Sequence, residues 1–230
     1  MRAPPLMLFA AGFGTRMGTL TADRPKPLIP VAGKPLMDHA LDLADAAKIS
    51  KVVVNLHYRG DQIREHLAAR PILFSDESDL ILETGGGLRA AMPLLQESPV
   101  IVLNSDAVWT GENPLLALMA HWRAEMGALL TLIPVDMANG HSGHGDFVMD
   151  STGKLQRGSG AQSFVYAGAM ITRTEGLPDI AEQVFSVNRL WDRQIEQGQL
   201  FGYVHQGQWC DVGRPEGIAL AEGILAGQRP

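Results

Sequence analysis

A glycine-rich segment and two cations follow the first apolar run of the chain. Residues 6–9 (LMLF) are short and apolar, so they are predicted to form a buried strand. Gly12 and Gly14 come soon after it, and glycine lets the backbone turn sharply and approach a ligand closely. Arg16 and Lys26 then supply positive charge, and the prolines on either side of Lys26 restrict its backbone. This order of residues predicts a loop that binds a polyphosphate.

The loop differs from two common phosphate-binding motifs. A dinucleotide fingerprint places glycine at its first, third and sixth positions, whereas Met17 occupies the sixth position here. The phosphate loop of the common nucleoside triphosphatases ends in Gly-Lys-Ser or Gly-Lys-Thr, and this loop does not. An ordinary strand-to-helix turn is therefore an alternative interpretation. The cations Arg16 and Lys26 favour phosphate binding, because their side chains pair with anionic oxygens.

Two aspartates in distant parts of the chain are candidate metal ligands. Asp106 follows the apolar run of residues 99–103, at the predicted carboxyl end of a strand, where ligands bind in open α/β sheets. Asp211 follows the short run of residues 208–210. Two such carboxylates can hold one Mg²⁺, with phosphate oxygens and water completing its coordination. The alternative is that each aspartate is an ordinary strand-end or turn residue.

Other conspicuous side chains have structural explanations. His141 and His144 are spaced like metal ligands, but no further His or Cys lies nearby in the sequence, so a polar loop is expected. Cys210 is expected to be a small buried residue, because no activating base or cation is evident beside it. The four tryptophans do not alternate with basic residues, which argues against a surface that stacks nucleic-acid bases.

Short apolar runs alternate with amphipathic segments along the first half of the chain. Residues 37–44 carry apolar side chains at helical spacing, and residues 52–56 follow as a β-branched strand, which makes a first β-α-β unit. The alternation continues to the apolar run of residues 128–133. Since strands joined by helices form parallel sheets with right-handed crossovers, we predict an α/β fold with a mostly parallel central sheet flanked by helices.

The pattern changes after about residue 136. Residues 136–146 are polar and contain glycine, which predicts a long loop. Residues 147–149 and 155–156 flank the turn sequence DSTGK, which predicts a hairpin. With no internal repeat and no clear linker, we expect residues 1–230 to form one domain with a smaller antiparallel region in its second half.

Composition and charge exclude several classes of protein. The chain of 230 residues is 46% hydrophobic, which is sufficient for one large folded domain. Its formal charge of −6 argues against a general nucleic-acid or anionic-membrane binder. One cysteine excludes an internal disulfide. Residues 1–5 lack the order of a secretory signal and no apolar run is long enough to span a bilayer, so a cytoplasmic protein is expected.

Three linked motifs resemble those of the sugar-1-phosphate nucleotidyltransferases. Residues 12–17 (GFGTRM), 25–28 (PKPL) and 33–35 (GKP) match the opening pattern of that family in the same order. Residues 82–87 (LETGGG) and 209–216 (WCDVGRPE) resemble its short single-domain members, the N-acetylmuramate-1-phosphate uridylyltransferases. The resemblance covers most of the chain and is weakest from residue 136 to 199. It implies the Rossmann-like nucleotidyltransferase fold.

The resemblance also implies roles for particular residues. The main chain near Ala10 and Gly12 would read the nucleobase, and Arg16 and Lys26 would act in catalysis by neutralising the triphosphate. Asp106 and Asp211 would hold Mg²⁺. The residues expected to bind the nucleotide are Ala10, Ala11, Gly12, Gly14, Thr15, Gly85 and Gly86. In this family the triplet around the first aspartate is Asn-Gly-Asp, whereas this chain has Asn-Ser-Asp with Ser105 in the middle.

Three further positions are candidates for contact with the sugar. Glu83 and Thr84 precede a run of glycines that opens a predicted helix, where free N–H groups and a flexible backbone can meet a base or a sugar. Gly168 could let the backbone approach a sugar, or serve packing alone. Many relatives use a lysine in the second half to grip the sugar phosphate, but Lys154 is the only lysine after Lys51 and falls in the predicted hairpin turn.

The reaction implied is direct transfer of a nucleotidyl group to a sugar 1-phosphate with release of pyrophosphate. UTP and N-acetylmuramate 1-phosphate rest on the resemblance, and mannose or glucose 1-phosphate with GTP or dTTP is the alternative. A glycosyltransferase is a rival class, but it usually carries Asp-x-Asp, and Asp106 is followed by Ala107 and Val108. A non-catalytic binding module could dispense with Arg16 or Lys26, which this chain keeps. A monomer or a homodimer is expected.

Overall fold

The structure is a computed structural model that describes residues 3–228. The strands are β1 (Leu6–Phe9), β2 (Pro30–Val31), β3 (Lys34–Pro35), β4 (Val52–Leu56), β5 (Ile72–Asp76), β6 (Val100–Asn104), β7 (Ala107–Trp109), β8 (Ala128–Pro134), β9 (Phe147–Met149), β10 (Leu155–Arg157), β11 (Phe164–Thr172), β12 (Leu200–Val204) and β13 (Trp209–Asp211). The helices are α1 (Leu36–Ala46), α2 (Gly60–His66), α3 (Glu83–Leu95), α4 (Pro114–His121), α5 (Asn188–Glu196) and α6 (Glu216–Leu225). Residues 1–2 and 229–230, the ends of the expected 1–230 domain, lie outside the described residues.

The central sheet has a parallel half and an antiparallel half. Strands β5, β4, β1 and β6 lie side by side and pair in parallel. Strand β11 then pairs antiparallel with β6, and also antiparallel with β8 and β9. Strand β12 runs parallel to β8, and β9 forms a hairpin with β10. The α/β class, the largely parallel sheet and the hairpin predicted from the sequence are therefore confirmed.

Alternating apolar residues along the strands bury both faces of the sheet. In β1, Leu6 and Leu8 pack in the cluster that contains apolar residues of α1, α2 and α4, whereas Met7 packs on the other face with those of α3 and α5. A β-strand directs successive side chains to opposite faces, so a continuous apolar run such as β1 requires helices on both sides. The sheet is thus the middle of three layers.

A small separate sheet completes the fold near the site. Strands β7 and β13 pair antiparallel, with Ala107 opposite Asp211, and α6 packs against this pair. Val108, Cys210 and Val212 are buried there in a third apolar cluster. Cys210 is a free, fully buried thiol, as the sequence predicts. Within residues 3–228, no helix combines the length and apolar character needed to cross a bilayer.

Candidate active site

The loops that follow β1, β5 and β6 meet at the carboxyl edge of the parallel half-sheet. Phe9 lies opposite Asn104 in the register of β1 and β6, so the glycine-rich loop and the loop with Asp106 begin side by side. Ser105 ties the two together, because its Oγ donates to the carbonyl oxygen of Phe9 at 2.7 Å. This is the edge of an open α/β sheet where ligands bind.

Lys26 and Asp106 form an ion pair at the base of this edge. The Nζ of Lys26 lies 2.6 Å from Oδ2 of Asp106, and 10% of the lysine side chain and 31% of the aspartate side chain are exposed. Lys26 occupies a short 3-10 turn (Lys26–Leu28), which begins after Pro25 in extended conformation. The two prolines hold the lysine backbone, so the ammonium group is positioned before any substrate arrives.

Gly14 supports the lysine from the preceding loop. Its φ of +66° lies in the left-handed region, and a Cβ there would come within 2.9 Å of both Lys26 Cβ and Thr21 Cγ2. Thr21 closes the loop by donating its hydroxyl to the carbonyl oxygens of Gly14 and Gly18. Glycine is therefore required at position 14 by both backbone conformation and close packing.

Asp211 reaches the same place from the far end of the sequence. Strand β13 sets it opposite Ala107, and the N–H of Val212 donates to the carbonyl oxygen of Asp106 at 2.9 Å. Burial raises the pKa of Asp211 above its ordinary value, and the neighbouring Asp106 carboxylate raises it further, while Lys26 and Arg16 act in the opposite direction. Two carboxylates that repel one another in a partly buried place are suited to a divalent cation, because Mg²⁺ prefers oxygen ligands.

Within the described residues, no group of three or more His, Cys, Asp or Glu side chains is arranged to hold a metal. An ion between Asp106 and Asp211 would therefore complete its coordination with phosphate oxygens and water, as Mg²⁺ at substrate phosphates commonly does. The residues present fit such an ion. His141 and His144 do not form a metal site with further His, Cys, Asp or Glu in this part of the chain.

His141 nevertheless lies close to the site. Its loop joins β13, because the N–H of Asp211 donates to the carbonyl oxygen of Asn139 at 2.9 Å. The charge of His141 also lowers the pKa of Asp211, which partly offsets the effects of burial and Asp106. The sequence placed His141 in a loop and gave no sign that this loop returns to Asp211.

A buried polar chain fixes the wall of the cleft that faces the glycine-rich loop. The backbone N–H of Ala10 donates to Oδ1 of Asn55 at 2.7 Å, and Nδ2 of Asn55 donates to Oε1 of Glu77 at 2.8 Å. The second carboxylate oxygen of Glu77 accepts the N–H of Leu82 at 3.0 Å. Asn55 and Glu77 are each 3% exposed. Strand β4 thus joins the loop after β1 to the loop after β5, and both the oxygen and the amide group of Asn55 have hydrogen-bond partners.

Gly85 and Gly86 form a packed wall rather than open donors. Both N–H groups donate to the carbonyl oxygen of Phe185, at 2.9 and 3.0 Å. The sequence predicts free N–H groups here, but these two are occupied and cannot bind a ligand. A Cβ at Gly85 would come within 2.4 Å of the Phe185 ring, and one at Gly86 within 2.5 Å of the carbonyl oxygen of Gln183. Glycine is needed at both positions because the first turn of α3 packs directly against Gln183 and Phe185.

A cleft of about 220 Å³ lies between these elements. Of the residues singled out in the sequence, those that line it are Ala10, Ala11, Gly12, Lys26, Glu83, Thr84 and Asp106. Asp211 does not line the cleft, and neither do Thr15 and Arg16, which are exposed in the 3-10 helix Thr15–Thr21. Gly168 does not line the cleft either. Its φ of +86° and a Cβ distance of 2.9 Å to Asn104 Nδ2 instead let the Asn104 side chain pack on it.

Asn55 and Glu77 are residues of the cleft that the sequence analysis missed. Asn55 gives one signal, since it is the only polar residue in the otherwise apolar run of β4. A polar group inside such a run must find a hydrogen-bond partner, but its position alone does not say which. Glu77 comes directly after β5 and reads from sequence as an exposed loop residue.

Comparison with known proteins agrees with this architecture. Residues 6–144 match the MobA-like NTP transferase domain. The N-acetylmuramate alpha-1-phosphate uridylyltransferase of Caulobacter vibrioides is 38% identical over 238 residues, which cover 98% of this chain and 98% of that protein. The protein of the same name from Neisseria meningitidis serogroup B is 32% identical and covers 90% of this chain and 92% of its own length.

A solved structure shares the fold. HddC from Yersinia pseudotuberculosis, complexed with GMP-PN, has a TM-score of 0.77 and 20% sequence identity, with 95% of this chain and 98% of that chain covered. At this identity the likeness shows the fold alone. The family match over residues 6–144 and the two full-length relatives carry the assignment. The chain belongs to the MobA-like NTP transferase family and is a sugar-1-phosphate nucleotidyltransferase.

Proposed function

We propose that this enzyme transfers the uridylyl group of UTP to N-acetylmuramate 1-phosphate. The observation that carries the proposal is the ion pair of Lys26 and Asp106 in the wall of the cleft, with Asp211 set next to Asp106 by the pairing of β13 with β7. The choice of base and sugar is supported by the names of the two relatives that match most of the chain. A cleft with a fixed cation and paired carboxylates suits two substrates that both carry phosphate.

The reaction needs no nucleophile from the protein. A phosphate oxygen of the sugar 1-phosphate attacks the α-phosphorus of UTP and forms a new P–O bond. The bond from that phosphorus to the oxygen bridging the α- and β-phosphates breaks, and pyrophosphate leaves with the electron pair. The attacking oxygen is already anionic, so no proton must be removed. Catalysis then comes from holding two anionic substrates together and from stabilising charge at the transferring phosphorus.

Several residues of the chain contribute to binding the two anionic substrates and to catalysis. Lys26 carries a fixed positive charge beside Asp106, and Arg16 adds an exposed one. Gly12 is open, with no atom within 4 Å of the place a Cβ would occupy, so the main chain there can approach the nucleotide. Mg²⁺ held by Asp106 and Asp211 would neutralise phosphate charge and act as a Lewis acid. Gly14 leads into the 3-10 helix Thr15–Thr21, which carries Arg16.

We also propose that the protein acts in the cytoplasm. The single cysteine, Cys210, is buried and free, which fits a reducing compartment.

We propose a monomer or a homodimer as the working form. Size-exclusion chromatography with light scattering measures which of the two forms is present.

Pyrophosphate release tests the substrate assignment. Purified enzyme with Mg²⁺ is offered UTP, dTTP, GTP or ATP against N-acetylmuramate, N-acetylglucosamine, glucose or mannose 1-phosphate. We expect the highest kcat/KM for UTP with N-acetylmuramate 1-phosphate, and no release when the sugar phosphate is left out. The Asp106→Asn variant, purified in the same way, serves as the inactive control.

Two outcomes contradict the proposal in different ways. A higher kcat/KM for another base or sugar means that the enzyme class stands and the substrate pair is wrong. Transfer of a sugar from a nucleotide sugar to an acceptor, without pyrophosphate release from any pair, would instead assign a glycosyltransferase.

A further inference from the structure

A second cavity adjoins the nucleotide cleft. It measures about 280 Å³ and shares Phe9, Thr84 and Asn104 with the first cleft. Its other walls come from the hairpin region, β11 and α5, which lie in the part of the sequence where the family resemblance is weakest. The two cavities therefore meet along one shared edge. A substrate with its phosphate in the first cleft can extend its sugar into the second.

Arg157 is the one cationic side chain among the described residues that line this second cavity. Its Nε and Nη2 atoms donate to Oδ1 of Asp192 at 2.9 and 2.8 Å, and Nη2 also donates to Oδ1 of Asn188 at 2.9 Å. The guanidinium carbon lies 4.8 Å from the centre of the Phe147 ring and 5.7 Å from that of Trp191. The guanidinium is thus held by hydrogen bonds at Nε and Nη2 and by contact with two aromatic rings.

The other end of the guanidinium is available. A guanidinium has five N–H donors, and the bonds above engage only those on Nε and Nη2. The Nη1 atom donates no hydrogen bond to any residue between 3 and 228. The Arg157 side chain is 40% exposed and lines the cavity, so a ligand there can approach it. A guanidinium held in place loses little entropy when it binds a carboxylate.

Asp146 is the one acidic side chain among the described residues that line this cavity, and it already has a partner. Its Oδ2 accepts the backbone N–H of Tyr166 at 2.9 Å. Asp146 can use its remaining lone pairs for sugar hydroxyl or amide groups. The cavity therefore offers one cation with free donors and one carboxylate that is partly satisfied, a combination that fits a sugar with both polar groups and an acidic substituent.

We infer that Arg157 binds a carboxylate on the sugar of the sugar 1-phosphate and so selects an acidic sugar over its neutral counterpart. This inference rests on the proposed function. The phosphate of that substrate must reach the α-phosphorus beside Lys26 and Asp106, which line the first cleft and not the second. Arg157 lines only the second. The group it meets is therefore a substituent of the sugar ring rather than the reacting phosphate.

The test compares two sugar 1-phosphates that differ in this substituent. N-acetylmuramate 1-phosphate carries a carboxylate on an ether substituent of its ring. N-acetylglucosamine 1-phosphate has a free hydroxyl where that substituent is attached. For Arg157→Gln we expect KM for the acidic sugar to rise roughly ten- to hundredfold, the range expected for a lost hydrogen bond to a charged group. KM for the neutral sugar and for UTP should change less than about threefold, because neither offers Arg157 a carboxylate.

Two further variants separate charge recognition from folding. Arg189→Gln removes a charge from the same region of α5, where Arg189 is exposed and pairs with Glu182 at 3.0 Å, and it should leave both KM values unchanged. Arg157→Lys keeps the charge without the fixed planar group, so it should recover part of the preference for the acidic sugar. If Arg157→Gln does not fold, Arg157→Lys supplies the test, because it should raise KM for the acidic sugar more than KM for the neutral sugar.

The outcomes distinguish this inference from the proposed function. An equal rise in KM for both sugars means that Arg157 grips the shared phosphate, which overturns the inference while the enzyme remains a uridylyltransferase. Unchanged KM values in Arg157→Gln overturn it as well. If the unmodified enzyme releases no pyrophosphate from N-acetylmuramate 1-phosphate, the proposed function itself fails and this inference fails with it.

Discussion

The Nζ of Lys26 lies 2.6 Å from Oδ2 of Asp106, although 80 positions separate the two residues in the sequence. The lysine comes from a proline-bounded turn after β1, and the aspartate from the connection between β6 and β7. Their pairing joins the two halves of the phosphate-handling edge before any substrate is bound. Lys26 would donate to phosphate oxygens instead if Asp106 held a divalent ion together with the bound nucleotide.

The first prediction concerns Lys26→Met. We expect kcat to fall by about a hundredfold or more, because the charge that stabilises the transferring phosphorus is lost. Asp106 keeps 31% of its side chain exposed, so water can solvate its carboxylate after the lysine is removed. The variant should therefore fold, as judged by circular dichroism and a thermal melt. Steady-state pyrophosphate release gives kcat, and a folded Lys26→Met with unchanged turnover would refute the role of this cation.

The second prediction concerns Gly12→Ala. No heavy atom lies within 4 Å of the position that a Cβ would take, so the free energy of unfolding should stay within about 0.5 kcal/mol of the original. The methyl group would, however, stand in the cleft that Gly12 lines. We expect KM for UTP to rise about tenfold, with urea denaturation unchanged. A variant with lower stability and normal KM contradicts this assignment.

The third prediction concerns Gly14→Ala. A left-handed backbone costs an alanine roughly 1–2 kcal/mol, and the new Cβ would also press on Lys26 Cβ at 2.9 Å. We expect lower stability together with a fall in kcat of about ten- to hundredfold, because the lysine is displaced. Gly227→Ala is the matched control, since its φ is +79° and nothing lies within 4 Å of its Cβ position. It should lose stability and keep kcat, whereas equal kcat in both variants would disprove the effect through Lys26.

Local sequence patterns predict the elements of this fold well. The runs LMLF and VVVNL become β1 and β4, and the turn sequence DSTGK joins β9 and β10. These assignments succeed because side-chain periodicity and turn chemistry act between near neighbours. The two prolines beside Lys26 likewise predict that its backbone is restrained.

The contacts that assemble the site are mostly beyond such patterns. Strands β7 and β13 are three residues each, and their pairing brings Asp211 beside Asp106. Short strands carry little periodicity, and register between distant segments is set by the packing of the whole fold. Glu77 is similar, because nothing in the chain near it indicates burial. The family resemblance predicts the pair Asp106 and Asp211. The structure shows the strand pairing and the hydrogen bond that position them.

The fourth prediction concerns Glu77→Gln. Its two carboxylate oxygens accept from Asn55 Nδ2 and from the N–H of Leu82, and Gln would place an amide donor against one of these donors. Turning Asn55 over gives no relief, because its Oδ1 accepts the N–H of Ala10. We expect a loss of about 1–3 kcal/mol in the free energy of unfolding, measured with urea, and a higher KM for UTP as the loop after β1 shifts.

Glu65→Gln provides the control for this change. Glu65 is exposed on α2, so the same loss of one carboxylate charge should leave stability and KM as they were. If the two glutamine variants unfold at the same urea concentration, the buried chain of hydrogen bonds does not contribute as proposed.

The fifth prediction concerns Asp211 and pH. Burial and the Asp106 carboxylate raise the pKa of Asp211 in the folded protein above its ordinary value of 3.8. The folded state therefore holds this proton more tightly than the unfolded chain, and the ionised carboxylate lowers stability as pH rises through the folded pKa. Asp211→Asn removes that penalty. Without metal or nucleotide, we expect the variant to have a higher Tm than the original at pH 7.

This gain in Tm should shrink as pH falls below the ordinary aspartate pKa, because Asp211 is then protonated in both states of the original protein. The same variant should lose pyrophosphate release, and adding Mg²⁺ with UTP should raise the Tm of the original protein far more than that of Asp211→Asn. Thermal melts from pH 3 to pH 8, with and without the ligands, measure both effects. A variant that melts below the original at pH 7 would show that the ionised Asp211 stabilises the fold, and the repulsion inferred between the two carboxylates would be wrong.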